Sequence, residues 1–169
     1  CAAGKPVVMV PVPLEGIDCT LVHADNRGGM RDAVLHLIAH GHRRIAYVDH
    51  GEETWSQQRY LGYCDALDAL GIAHDPALVL HTEVTSLDGG ENNIQRGQYA
   101  AQYLLEHDVP CTALVAPTDQ CAITLMRVIQ AAGRRVPDDL AVVGFDDTVD
   151  AQYARPPLTT VRTQFEALG

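Results

Sequence analysis

The residues best suited to chemistry stand directly after apolar runs. Asp25 and Asn26 follow residues 20–23, and Glu52, Glu53, Trp55 and Arg59 follow residues 45–48. Thr118 and Asp119 follow residues 112–116, and Asp146 and Asp147 follow residues 140–143. Together these types suit a small polyhydroxylated ligand. A carboxylate accepts a pair of hydroxyl hydrogens, an arginine donates to ring and hydroxyl oxygens, and an indole face stacks on sugar C–H groups. The same residues have plainer uses. Asp25, Thr118 and Asp119 each stand where a helical pattern starts, and Asp and Thr commonly cap the free N–H groups there. Arg59 equally suits a surface position in an early helical turn. Position alone leaves both uses open.

Other chemistries find less support. Carboxylates are plentiful enough for a general acid and base. Yet there is no Gly-rich phosphate loop, no nucleophile elbow and no metal signature, so the chain reads as neither an enzyme nor a cofactor binder. His36 and His40 are spaced to share a helix face, but no Glu adjoins the first His and no third ligand is evident. They read as a surface pair, with His40 and His42 near the helix's negative end. The five cysteines (Cys1, Cys19, Cys64, Cys111 and Cys121) are odd in number and contain no CxxC pair. That argues against a disulfide framework or a zinc site, and the expectation is of small buried thiols in a reducing, cytoplasmic setting.

The elements that must position these residues follow from the apolar pattern. Strands are predicted over residues 7–10, 20–23, 45–48, 77–80, 112–116, 140–143 and 158–161. Helices are predicted over 26–40, 55–70, 91–106 and 120–132, with Gly41, Gly71 and Gly133 as stops. In the second helix Tyr60, Leu61, Cys64, Leu67 and Leu70 are expected to face inward. In the third the same is expected of Ile94, Tyr99, Ala101, Leu104 and Leu105. Residues 82–90 read as a polar loop. Strands that are apolar throughout imply burial on both faces, and strand–helix alternation implies right-handed crossovers. The fold class is therefore α/β, a doubly wound parallel sheet. Ligands in such sheets bind beyond the carboxyl ends of the strands, which is where the polar set lies.

Charge narrows the partners. Twelve Lys and Arg face 22 Asp and Glu, for a net charge of −10, and Lys5 is the single lysine. A polyanion needs clustered positive charge, so these residues are not expected to touch nucleic acid directly. No apolar run approaches the roughly 18 residues of a membrane span.

Four motifs in order make the reading more specific. Asp25-Asn26-Arg27-Gly28-Gly29 leads into a helix ending His36-Leu37-Ile38-Ala39-His40-Gly41-His42-Arg43-Arg44-Ile45. Arg59-Tyr60-Leu61-Gly62-Tyr63 follows. Then come Val136-Pro137-Asp138-Asp139-Leu140-Ala141-Val142-Val143-Gly144-Phe145-Asp146-Asp147 and Arg155-Pro156-Pro157-Leu158-Thr159-Thr160-Val161. Across nearly its whole length the chain resembles the effector-binding core of the lactose-repressor/galactose-repressor family of bacterial transcription regulators.

That resemblance implies a periplasmic-binding-protein-like core holding a sugar or related effector between two α/β subdomains. It also implies homodimers that grip operator DNA through a helix-turn-helix segment outside these residues. Residues 1–42 would be the rear of the first subdomain, 43–161 a near-complete second one, and 162–169 the start of the return crossover. The cleft formed by these residues alone is expected to be incomplete. Arg59 matches the family's effector-binding arginine, Asp146 its hydroxyl-gripping aspartate, and Phe165 a frequent cleft aromatic. Thr118 departs from the asparagine usual there. Trp55 is a plausible stacking platform one turn before Arg59, and Asp25 completes the candidate set. Arg59 and Asp146 are expected to approach each other, and Arg59→Ala to weaken binding while sparing stability. A solute-binding protein of a sugar transporter shares the fold, so fold does not separate the two. The motif wording and the free cysteines favour the regulator.

Overall fold

Continuously apolar runs become the inner strands of one parallel sheet. The computed structural model describes residues 8–9, 20–21, 24–49, 51, 54–82 and 89–163. In chain order the elements are β1 (Val8–Met9), β2 (Thr20–Leu21), α1 (Asn26–Ala39), β3 (Ile45–Asp49) and α2 (Thr54–Ala69). After a 3-10 turn (Pro76–Leu78) come β4 (Val79–His81), α3 (Gly89–Glu106), β5 (Ala113–Val115) and α4 (Asp119–Ala131). The rest is β6 (Ala141–Asp146), α5 (Val149–Tyr153) and β7 (Thr159–Arg162). β1 and β2 form a small parallel pair, and the main sheet has the order β4-β3-β5-β6-β7, all parallel.

Alternation along β3 shows how both faces are buried. Ile45 and Tyr47 point into a core with Met30, Val34 and Leu37 of α1 and Tyr63 and Leu67 of α2. Ala46 and Val48 point into the opposite core with Leu104 of α3 and Leu125 and Ile129 of α4. Fully burying a side chain such as Val48 or Phe145 contributes about 1.5–3 kcal/mol.

Several expectations are corrected. Of residues 1–42, expected as the rear of a first subdomain, the described helix α1 packs on the main sheet: Met30, Ala33, Val34, Leu37 and Ile38 share a core with Tyr47, Val115 and Phe145. The strand expected over 77–80 starts later, since Asp75 accepts from the Ala77 N–H at 3.0 Å and caps the 3-10 turn. The inward face of α2 differs too. Tyr60, Leu61 and Leu70 are exposed, while Ser56, Arg59, Tyr63 and Ala66 are buried. On α3, Ile94 and Tyr99 are exposed, and Arg96, Ala100, Ala101 and Leu104 are buried. The expected loop over 82–90 ends early, as Gly89 already opens α3. The five-residue α5 was not foreseen; it has too few residues for a periodic signal.

Candidate functional site

Arg59 sits one turn into α2 with only 7% of its surface exposed. Its Nε donates to Asn26 Oδ1 of α1 at 2.9 Å. One terminal nitrogen donates to the Pro117 carbonyl in the β5–α4 turn, and the other donates to Asp146 Oδ1 at 3.4 Å. The Phe145 ring centroid lies 3.6 Å from the guanidinium carbon and that of Trp55 4.7 Å, so the cation rests against two aromatic rings. Burial lowers the Arg59 pKa and Asp146 opposes that shift. An arginine stays charged through such changes. The expected approach of Arg59 to Asp146 is thus present, and the burial was not foreseen.

Asp146 ends β6 with a backbone φ of 119°, and Asp147 follows at 57°. Non-glycine residues seldom adopt positive φ, and such strain persists only where the surroundings fix it. The surroundings here include Asp119, which is fully buried. Its Oδ2 accepts from the Thr148 N–H at 2.7 Å and the Thr148 hydroxyl at 3.0 Å, and its Oδ1 accepts from the Thr160 hydroxyl. Gly144 makes room for this carboxylate, because a Cβ there would stand 2.4 Å from Asp119 Oδ1. Burial raises the Asp119 pKa against those hydrogen bonds. Burial also pushes the Asp146 carboxyl up to about 6; Arg59 opposes the rise and Asp119 adds to it.

Two of the capping contacts are present. Thr118 is the N-cap of α4 and accepts from the Cys121 N–H at 3.2 Å. Asp25 is the N-cap of α1 and accepts from the Gly28 N–H at 2.8 Å. Asp119 is not the cap, and its carboxylate ties the β6–α5 turn to β7 instead.

Asp146 and Thr118 line one open pocket of about 450 Å³, together with Gln120, Arg127, Thr148 and Asp150. Arg59 stands behind Asp146, and Trp55 joins the group through Arg59. Asp25 is not among the pocket's lining residues. Phe165, Glu52 and Glu53 lie outside the described residues. Sequence reasoning placed Asn26 and Asp119 in the polar set after the strands, weighing capping for Asp119, and assigned no role to Phe145 or Pro117. The glycine at 144, beside two aspartates, was the available sign of a close approach.

Elsewhere the thiols are quiet. Cys121 is fully buried and its thiol is pushed up to about 12. Cys64 and Cys111 are half-buried, and burial raises both. The His36 and His40 rings lie 4.3 Å apart, tilted by 47°, and His40 Nδ1 lies 2.8 Å from the His36 carbonyl. Among the described residues no group of three His, Cys, Asp or Glu side chains could hold a metal ion. No described helix is long and apolar enough to cross a membrane.

A parallel sheet with helices on both faces and a charged, half-open carboxyl edge defines a periplasmic-binding-protein-like ligand domain. The family model for the periplasmic binding protein-like domain matches residues 34–169, and the chain belongs to that family. Within it, the chain is similar to regulators of the LacI family. The HTH-type transcriptional regulator CelR of Thermobifida fusca is 37% identical over 172 residues, covering 99% of this chain and 48% of CelR. A LacI-family regulatory protein from Chloroflexus aggregans superposes with a TM-score of 0.81 at 30% identity, over 96% of this chain and 56% of that one. A CelR–cellobiose complex gives 0.73 at 34% identity, over 94% and 46%. The chain spans about half the length of the curated relatives it matches.

Proposed function

We propose that this chain is the effector-sensing core of a cytoplasmic transcription regulator rather than an enzyme. It binds a sugar or related polyol at the carboxyl edge of the main sheet and thereby controls operator binding by a helix-turn-helix segment outside these residues. The observation that carries this reading is the Arg59–Asp146 pair beside the 450 Å³ pocket. Asp146 offers carboxylate oxygens to hydroxyls, and Arg59 keeps N–H hydrogens beyond the three already engaged. Trp55 and Phe145 hold that arginine in place. Thr118 can donate its hydroxyl hydrogen, and Asp25 can offer its second carboxylate oxygen, while each keeps its capping contact.

The regulator acts as a homodimer, so that two-fold symmetry matches a palindromic operator. Val149 and Tyr153, at 68% and 71% exposure on α5, are apolar surface suited to such a contact. The test is a thermal-shift screen of the full-length protein with cellobiose, glucose, polyols and purines. Cellobiose comes first because of the CelR–cellobiose complex. A true effector raises the melting temperature by mass action. Calorimetric titration of Asp146→Asn should then show affinity reduced about ten- to a hundredfold, the loss of one charged hydrogen-bonding group. Unchanged affinity removes the site assignment.

A further inference from the structure

Asn26 is the first residue of α1, and its amide has a partner at each end. Nδ2 donates to the Ala24 carbonyl at 3.3 Å, and Oδ1 accepts from Arg59 Nε at 2.9 Å. The Asn26 backbone N–H donates to the same carbonyl at 2.8 Å. Only an amide supplies both a donor and an acceptor here: aspartate cannot donate to Ala24, and leucine does neither. Arg59 in turn reaches Asp146. An unbroken series of contacts therefore runs from the peptide before α1 to the pocket wall.

We propose that Asn26 is a positioning residue that carries the state of the Arg59–Asp146 pair to the peptide at Ala24. This rests on the reading of that pair as the effector grip. An effector that takes Asp146's oxygens or Arg59's free hydrogens changes the balance of contacts on the guanidinium. The two aromatic rings oppose tilting of its plane, so it shifts chiefly within that plane. Nε then pulls on Asn26, whose other end holds Ala24. An event at the carboxyl edge of the main sheet so reaches the Ala24 peptide that precedes α1.

A proton on Asp146 is a probe that needs no identified effector. The charged groups around Asp146 are Arg59 from α2, Asp119 from the start of α4, and the adjoining Asp147, which accepts from Arg162 of β7. Burial places the Asp146 midpoint near 6. The experiment follows backbone amide ¹⁵N shifts of residues 24–29 from about pH 4.5 to 8, beside the Asp146 carboxyl signal. In the wild type these amides should move with the Asp146 midpoint. The movement should vanish in Asp146→Asn. It should also vanish in Asn26→Leu and Asn26→Ala, while Asp146 itself still titrates in both.

Amides that stay flat in the wild type overturn the proposal. So does movement that persists in either folded Asn26 variant. If neither variant folds, Arg59→Lys, which keeps the charge and lacks the Nε–H, replaces them with the same expectation. Failure to bind any sugar, with the titration as described, would sink the effector reading and leave the coupling standing.

Discussion

The two helix pairs that cover the main sheet are assembled alike and finish differently. α1 and α2 touch at Gly62, where a Cβ would lie 2.2 Å from the Arg27 carbonyl oxygen. α3 and α4 touch at Gly97, where a Cβ would lie 2.4 Å from the Cys121 carbonyl oxygen. At the carboxyl edge, α2 delivers a buried cation, Arg59, and α4 a buried anion, Asp119. Asp119 is satisfied entirely from within, by Thr148 and Thr160. Arg59 spends one of its bonds on Asp146, a residue that borders the pocket. Each charge has a partner that borders the pocket, Thr148 for Asp119 and Asp146 for Arg59, but only Arg59's partner is a carboxylate, which can trade its contact for a ligand's hydroxyl.

The sharpest way to break this comparison is to remove each charge in turn. Arg59→Ala should lower stability by about 3–5 kcal/mol, as truncating a large buried side chain that donates to three acceptors and packs on two rings does. It strips Asp146, Asn26 and the Pro117 carbonyl of one shared donor. This reverses the expectation from sequence that Arg59 could be lost without harm to the fold. Asp119→Ala should cost about 1–3 kcal/mol, since two hydroxyls and one backbone N–H lose their acceptor. Urea unfolding at pH 7.5 measures both. Effector affinity should collapse in the first variant and fall less in the second. Equal losses of affinity would mean that the two charges are not divided as described.

The likeness of the two helix pairs predicts matched effects from matched changes. Gly62→Ala and Gly97→Ala each push a methyl group against a neighbouring backbone carbonyl. Each should cost about 1–3 kcal/mol, the usual range for overpacking, and thermal unfolding should show it. An unperturbed Gly62 variant beside a damaged Gly97 variant would show that the α1–α2 contact yields and the α3–α4 contact does not.

How much of this was legible depends on what kind of signal each residue gave. The runs at 45–48, 112–116 and 140–143 announced buried parallel strands because nothing polar interrupts them, and β3, β5 and β6 lie there. The inward faces of α2 and α3 were misread because large apolar residues drew the eye. Close helix contact buries the small ones instead: Ser56, Gly62 and Ala66 on α2, and Gly97, Ala100 and Ala101 on α3. The packing of α1 on the main sheet was not legible, because a helix has the same periodicity on either sheet. Arg59 and Asp146 were picked by resemblance and by position after strands. Their burial, the Asn26 tether and the Asp119 tie depend on contacts 29 to 87 residues apart in the chain, which local patterning does not encode.

The smallest effect expected is also the most specific. The Asp146 carboxyl is raised from 3.8 to about 6, chiefly by burial. A raised carboxyl keeps its proton in the folded state at a pH where the unfolded chain has released it. Its contribution to stability is therefore complete below pH 3.8 and is lost as pH rises through about 6. A shift of this size corresponds to about 2–3 kcal/mol against the ionised form. Asp146→Asn supplies a permanently neutral group of nearly the same shape, and asparagine tolerates positive φ well. That shift already nets the Arg59 attraction against burial, and part of the gain is offset because an amide N–H₂ replaces a carboxylate oxygen and cannot accept a hydrogen bond. The net expectation for the ligand-free protein at pH 7.5 is a gain of about 1–2 kcal/mol, or a melting temperature higher by about 3–6 °C. Near pH 4.5 the difference should shrink toward zero, as the wild-type carboxyl is then mostly protonated in the folded protein. Paired melting curves at the two pH values decide it. A variant less stable than wild type at pH 7.5 would show that the ionised pair supports the fold, and Asp146 would then resemble Asp119 in serving structure first.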